Sequence, residues 1–156
     1  MPNNALNVVR FEGPAPVLDK IRGYYNDPRE GAKPGAIDFS LIVPQPKTLC
    51  DSDVRDWRRT HWGDIQNSYD GEVTHDEPEV LHIRFTTAWR GPTAILEALL
   101  ANHPELSIEA WTLEEANGIA ARYHGRHRLL QITMVPVDQR DPDYQAFLDE
   151  MLGEAA

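Results

Sequence analysis

The chain has 156 residues, a length that suits a single domain over residues 1–156 with one hydrophobic core. Its 25 aspartate and glutamate residues outnumber 15 lysine and arginine residues, and the net charge of -10 disfavours general binding to a phosphate backbone. The one cysteine excludes an intramolecular disulfide and a cysteine-ligated iron–sulfur cluster. No apolar run approaches the roughly 18 residues that cross a bilayer, and the N-terminus lacks a signal pattern, so we expect a cytoplasmic protein.

Apolar spacing near the N-terminus predicts a strand followed by a helix. Alternating residues predict the strand over residues 5–11, and Pro16 begins a helical pattern that reaches Tyr25. After a loop rich in glycine and proline, residues 37–43 are apolar enough for a short strand or an extended packed segment. These elements open an α+β domain.

The central part of the chain predicts a second helix and a long loop. Ser52 offers a capping hydroxyl, the helix ends at Thr60 or His61, and Gly63 suits a left-handed cap. Residues 64–78 are polar and show no period, so we expect a loop there. Long loops in compact domains often carry function, which makes this segment a candidate site.

The second half of the chain predicts an antiparallel sheet closed by a helix. Residues 80–87 alternate as a half-buried strand, and a helix over residues 95–100 ends before Pro104. Three further strands are expected as a meander over residues 106–113, 119–124 and 129–135. Residues 141–152 predict an amphipathic C-terminal helix. The expected fold class is α+β, with an antiparallel-rich sheet, helices packed on one face and this closing helix.

Two short motifs resemble a known family. Trp62 and Gly63 are followed by Asn67 and Tyr69, and residues 87–92 read Thr-Ala-Trp-Arg-Gly-Pro. Their order is similar to that of the YubB ferredoxin-like domain family, plasmid- and phage-encoded proteins of unassigned activity. The resemblance extends to the opening residues, to residues 37–46 and to residues 111–115, although Gln66 stands where the family has a second tryptophan. It implies a ferredoxin-like topology and an origin on a mobile genetic element.

Negative charge is concentrated in the middle of the chain. The acids of this segment are Asp51, Asp53, Asp56, Asp64, Asp70, Glu72, Asp76, Glu77 and Glu79. An acidic face suits a competitor for a DNA-binding groove. With the resemblance, it predicts a non-catalytic interaction protein that binds a basic host protein or nucleic-acid-binding complex, for example as a DNA mimic of anti-CRISPR or anti-restriction type. The simpler interpretation is that these charges only solvate a loop.

A second surface gives an alternative function. Trp111 and Tyr123, with Arg122, Arg126 and Arg128, would form a stacking and phosphate-binding patch if the sheet face were open. Such patches are used by ferredoxin-like sheets that bind single-stranded nucleic acid. The competing interpretation of the tryptophans is core packing, and the net charge also argues against this patch.

The sequence contains no strong catalytic or metal-binding motif. His124 and His127 have ligand-like spacing but stand beside arginines, and Cys50 has no histidine near it in sequence. No phosphate-binding glycine motif or nucleophile elbow occurs. We therefore expect no enzymatic activity, metal or cofactor. A hydrolase that uses Asp64, Asp70, Asp76 and Glu77 as metal ligands is a third hypothesis.

Overall fold

The computed structural model, which describes residues 3–26 and 35–155, contains both strands and helices along its whole length. The strands are β1 (Asn4–Glu12), β2 (Tyr25–Asn26), β3 (Ala36–Ile37), β4 (Tyr69–Glu77), β5 (Val80–Ala88), β6 (Ser107–Glu114), β7 (Ile119–Arg126) and β8 (Leu129–Val135). The helices are α1 (Ala15–Gly23), α2 (Phe39–Ile42), α3 (Asp51–His61), α4 (Thr93–Asn102) and α5 (Pro142–Ala155). None of these helices is long and apolar enough to cross a membrane.

One antiparallel sheet organises the molecule. Its six strands lie in the order β4-β5-β1-β6-β7-β8, and β2 pairs with β3 in a separate two-stranded ribbon. β1 lies at the centre because its register pairs Val9 with Ile83 of β5 on one side and with Ala110 of β6 on the other. The first strand of the chain therefore holds together segments that are far apart in sequence.

Both faces of the sheet are covered, because β1 alternates between two apolar clusters. Val9 and Phe11 point into the larger cluster, which contains Leu18 of α1 and Ile95 of α4. Val8 points the other way, into a smaller cluster of residues from the sheet and α5: Trp111, Ala120, Val135, Tyr144, Phe147 and Met151. The C-terminal helix thus packs on the face opposite α1 and α4, so the expectation that the helices pack on one face is wrong for α5.

The structure confirms most of the predicted elements and corrects two. The expected loop over residues 64–78 is wrong for most of its length, since β4 pairs with β5 from Tyr69 to Glu77. β4 has no apolar alternation because only Gly71 among its residues is buried. Residues 37–43 form the end of β3 and the short α2, where the Asp38 carboxylate accepts a hydrogen bond from the Ser40 N–H at 2.9 Å.

Candidate functional site

A cleft of about 560 Å³ lies where α3, the end of β5 and the β6–β7 turn meet. We call it the arginine cleft. Its lining residues are Arg55, Arg59, Asp64, Ile65, Trp89, Arg90, Asn117 and Ile119. Three arginines around one concavity are notable in a chain of net charge -10.

Helix α3 presents two of these arginines. Arg55 and Arg59 are four residues apart, so they lie on the same side of the helix. The helix is anchored at its C-terminal end, where the Trp62 indole N–H donates to the Val43 carbonyl at 2.9 Å. Gly63 has φ +82°, and a Cβ there would lie 3.3 Å from the backbone nitrogen of Ala94, so a glycine lets α3 end directly against α4.

The third arginine is carried by the turn that follows β5. Trp89 adopts φ +70°, a left-handed conformation that costs a non-glycine residue about 1–2 kcal/mol. Its N–H donates to the Asn3 carbonyl at 2.8 Å, which ties the turn to the start of β1. A Cβ on Gly91 would overlap the hydroxyls of Tyr123 and Thr112, so the chain after Arg90 can sit directly on the sheet.

A series of buried hydrogen bonds between side chains supports this turn from inside the sheet. The Thr112 hydroxyl donates to Asn7 Oδ1 at 2.6 Å, and the Asn7 amide donates to Thr87 Oγ1 at 2.8 Å. The Thr87 hydroxyl in turn donates to the Arg90 carbonyl at 2.6 Å. Because buried polar groups are costly unless they are paired, this network fixes the backbone between Thr87 and Arg90. The strained turn is held by three neighbouring strands.

The arginines of the cleft are available to an anion. Arg59 lies 3.8 Å from Asp56 in an exposed, weak ion pair. Within the described chain, Arg55 and Arg90 form no ion pair. Trp89 is 39% exposed beside them, and it offers an aromatic face of the kind on which a base or a guanidinium stacks.

Asp64 places a buried carboxyl at the floor of the cleft. Only 2% of the residue is exposed, and its Oδ1 accepts a hydrogen bond from the Ile65 N–H at 2.6 Å. Oδ2 is itself buried and has no hydrogen bond of good geometry within the described chain. Burial raises the pKa of Asp64 to about 6, although backbone donors and the charge of Arg90 act in the opposite direction. Near neutral pH, Asp64 can therefore change protonation when the charge in the cleft changes.

The predicted acidic face is only partly assembled. Asp51, Asp53 and Asp56 are exposed on α3, and five more acids are exposed on or beside β4: Asp70, Glu72, Asp76, Glu77 and Glu79. Asp64 is buried in the arginine cleft, so its assignment to an acidic surface is wrong. Glu72 pairs with Arg84 at 2.6 Å and Asp76 pairs with Arg22 at 2.8 Å, which reduces the negative charge beside β4.

The alternative aromatic patch is wrong as an exposed platform. Trp111 is buried beneath α5, where its indole N–H donates to Glu150 at 3.1 Å. Trp111 pairs with Arg122 across the strands, so these two side chains point to the same face of the sheet. Tyr123 follows Arg122 in β7 and is therefore buried in the cluster on the opposite face. Arg122 also donates to Glu150, at 2.8 Å, while the hairpin residues Arg126 and Arg128 are exposed. The two rings cannot stack on one ligand.

No group of three or more His, Cys, Asp or Glu side chains is arranged to hold a metal ion among residues 3–26 and 35–155. The four acids that the sequence suggested as metal ligands lie in two different parts of the structure. Asp64 lies in the cleft, whereas Asp70, Asp76 and Glu77 lie along β4.

Sequence reasoning missed the residues that define the arginine cleft. Arg55 and Arg59 had a detectable signal, since two arginines four residues apart on a helix form one basic stripe. Trp89 and Arg90 belong to the Thr-Ala-Trp-Arg-Gly-Pro motif, but nothing local distinguishes an exposed tryptophan from a buried one. Asn7 had no signal, because its partners are contributed by β5 and β6.

Comparison with known proteins places the chain in a fold class. No protein-family model matches the chain, and no curated protein matches it in sequence. Among solved structures, it is similar to protein api92 from Yersinia pseudotuberculosis, described with the family model DUF1281, with a TM-score of 0.53 and 14% identity. The match covers 65% of this chain and 40% of that chain, so the chain spans about two fifths of the api92 structure. A likeness at this identity shows an α+β fold alone.

Proposed function

We propose that the protein binds a nucleotide unit in the arginine cleft, either as a free nucleotide or within a short single strand. The observation that carries this proposal is the convergence of Arg55, Arg59 and Arg90 with the exposed ring of Trp89. Guanidinium groups bind phosphate through charge-assisted hydrogen bonds, and an exposed indole stacks on a base. The lining contains no Ser, Cys or His, which favours binding over nucleophilic catalysis.

Short-range attraction in the cleft outweighs the net negative charge. A phosphate and a guanidinium about 4 Å apart attract by roughly 4 kcal/mol at an effective dielectric constant of ~20. Exposed charges farther away than about 10 Å are largely screened at ~0.1 M salt. A ligand that fits within the cleft is therefore bound by the arginines, whereas a long duplex would also meet the acidic surface.

The aromatic and acidic groups favour a base over inorganic phosphate. Stacking of a base on an aromatic side chain contributes about 1–3 kcal/mol. The carboxyl of Asp64 lies in the same cleft lining, and its negative charge, when ionised, disfavours a small dianion such as inorganic phosphate. This combination supports a nucleotide as the ligand class.

The topology also supports a ferredoxin-like core. The order of elements β1-α1-β4-β5-α4-β6 follows the βαββαβ pattern, and the strand order β4-β5-β1-β6 matches that arrangement when β7, β8 and α5 are treated as additions. We propose on this basis that the chain is related to the YubB ferredoxin-like domain family, and that it acts in the cytoplasm of a cell carrying a plasmid or phage.

The arginine-cleft proposal is tested by calorimetric titration with AMP, adenosine and a phosphate-capped trinucleotide. The Arg55→Ala/Arg90→Ala variant should bind AMP or the trinucleotide at least about tenfold more weakly, since each charge-assisted hydrogen bond contributes about 1.5–3 kcal/mol. Arg126→Ala/Arg128→Ala is the matched control, because it removes two exposed arginines from the β7–β8 hairpin. Binding of AMP would identify a free nucleotide as the ligand. Binding of the trinucleotide but not of AMP would identify a single strand.

Three results would contradict the proposal. The first is no binding of either phosphate ligand by the wild-type protein. The second is equal affinity for AMP and adenosine, which would show that the cleft does not recognise the phosphate. The third is a loss in the control variant as large as in the cleft variant, which would move the site to the hairpin.

A second candidate function is the binding of a basic host protein by the acidic residues of α3 and β4. The observation that favours it is that eight of the nine acids between Asp51 and Glu79 are exposed. We propose that such a partner is a DNA-binding protein of a defence complex, for which this surface would act as a DNA mimic.

A further inference from the structure

The two edges of the main sheet differ in how they are protected. At the β4 edge, the register shifts between Tyr69 and Glu72 and again between Val73 and His75. Gly71 donates its N–H to the Gly35 carbonyl at 2.5 Å, so part of this edge is already covered. Charged side chains such as Glu72 follow along the strand. Irregularity, cover and charge are the usual devices that prevent an edge strand from pairing with another chain.

Within the described chain, the β8 edge has neither register shifts nor charged side chains. Its sequence, Leu-Leu-Gln-Ile-Thr-Met-Val, contains no charged residue, proline or glycine, and all seven residues pair with β7 in continuous register. Leu129 is 71% exposed, Ile132 is 44% exposed and Met134 is 60% exposed. An exposed edge strand of this composition offers a row of backbone donors and acceptors flanked by apolar side chains.

We propose that β8 pairs antiparallel with β8 of a second copy of this chain, about a twofold axis at Ile132. In this register Leu130 lies opposite Met134 of the other copy, and Gln131 lies opposite Thr133. Leu130 and Met134 therefore face each other on the α4 side of the sheet, and on the other side Gln131 faces Thr133 while Leu129 faces Val135. The two six-stranded sheets would join into one continuous sheet.

The charges at the two ends of β8 favour antiparallel pairing. They also favour a second copy of this chain as the partner strand. Arg126 and Arg128 flank its N-terminal end in the hairpin, and the acids Asp138, Asp141 and Asp143 follow its C-terminal end, with one arginine, Arg140, among them. Antiparallel pairing brings the basic end of each copy to the acidic end of the other, twice per dimer. Parallel pairing would place like charges together, which is destabilising. A chain of net charge -10 gains from such local complementarity when it associates with itself.

The test is sedimentation velocity of the full chain over a concentration series from about 5 μM to 500 μM at physiological salt. The wild-type protein should show a monomer–dimer equilibrium, and Ile132→Lys should raise the dimer dissociation constant at least tenfold. Val73→Lys is the matched control, because it places the same charge at an exposed apolar residue of the β4 edge. Thermal melting of both variants checks that the fold is intact.

Cross-linking tests the register independently. In a Cys50→Ser background, which removes the one native cysteine, Ile132→Cys should form a covalent dimer under mild oxidation because residue 132 faces its own copy across the axis. Leu129→Cys is more exposed but lies opposite Val135 of the other copy, and it should cross-link far more slowly. The proposal is overturned if the wild-type chain is monomeric at 500 μM, if Val73→Lys dissociates the dimer as much as Ile132→Lys, or if residue 129 cross-links faster than residue 132.

Discussion

Asp64 is the residue whose ionisation links the stability of the fold to the charge of the arginine cleft. Its pKa is raised from 3.8 to about 6 by burial, so the folded protein binds this proton more tightly than the unfolded chain does. The contribution of Asp64 to stability is therefore greatest below about pH 4 and is lost as the pH rises to about 6. Above that range the folded state carries a buried, ionised carboxylate.

Replacing Asp64 by asparagine should flatten this pH dependence. The Asp64→Asn variant should gain melting temperature relative to wild type as the pH rises from about 4 to 7, since the amide does not ionise. The exposed Asp149→Asn should keep the wild-type profile. Thermal unfolding followed by circular dichroism at half-unit pH steps measures the difference, and parallel profiles for wild type and Asp64→Asn would show that Asp64 does not titrate in this range.

Single residues were the hardest level to predict from the sequence. The acidic surface was a prediction from counting, and eight of its acids are exposed, but Asp64 differs from its neighbours only through tertiary burial. Whether Trp111 and Tyr123 share a face depends on the register of β6 against β7, which no local pattern encodes. Directly paired residues point to the same face, and Trp111 pairs with Arg122, so Tyr123 points to the opposite face.

Helix α5 is the element that covers the second face of the sheet, and its contribution can be measured within the helix itself. Phe147 is fully buried against the sheet, so Phe147→Ala should cost about 3–5 kcal/mol of unfolding free energy. Leu152 is exposed on the same helix, and Leu152→Ala should change stability by no more than about 0.5 kcal/mol. Urea unfolding of both variants checks this. Equal, small effects would mean that α5 packs loosely.

Elements with strong periodicity were predictable, and elements made by pairing were not. The pattern of residues 80–87 predicted β5, and the three meander strands and α5 followed from the same reasoning. β4 was missed because an edge strand that buries one residue has no periodicity, and it forms only because β5 supplies hydrogen bonds. The sheet order and the position of α5 on the second face depend on long-range pairing that no local pattern encodes.

At the scale of the whole molecule, the acidic surface is tested by removing charge without reversing it. The Asp53→Asn/Asp70→Asn/Glu79→Gln variant neutralises exposed acids of the candidate surface. Glu97→Gln/Glu105→Gln/Asp149→Asn makes the same charge change elsewhere on the surface. If the second candidate function holds, the first variant should recover far less DNA-binding protein from host lysate than wild type, and the second should recover as much, because local complementarity and not net charge drives the capture.

Thermal melting of both variants belongs to the same experiment. Exposed charges contribute little to stability, so both should melt close to the wild-type temperature. Equal losses of capture in the two variants would indicate that only the total charge matters. If the first variant captures as much DNA-binding protein as wild type, the acids of α3 and β4 are not the binding surface.

The packing of α5 over β1 also sets an order of events during synthesis. Val8 leaves the ribosome long before the helix that covers it, which is made from residues 142–155. At about 5–20 residues per second, roughly 7–30 seconds separate the two. For that interval the growing polypeptide carries an uncovered apolar surface that includes Trp111 once β6 has been made. The nascent protein should therefore depend on a chaperone more than the finished one does.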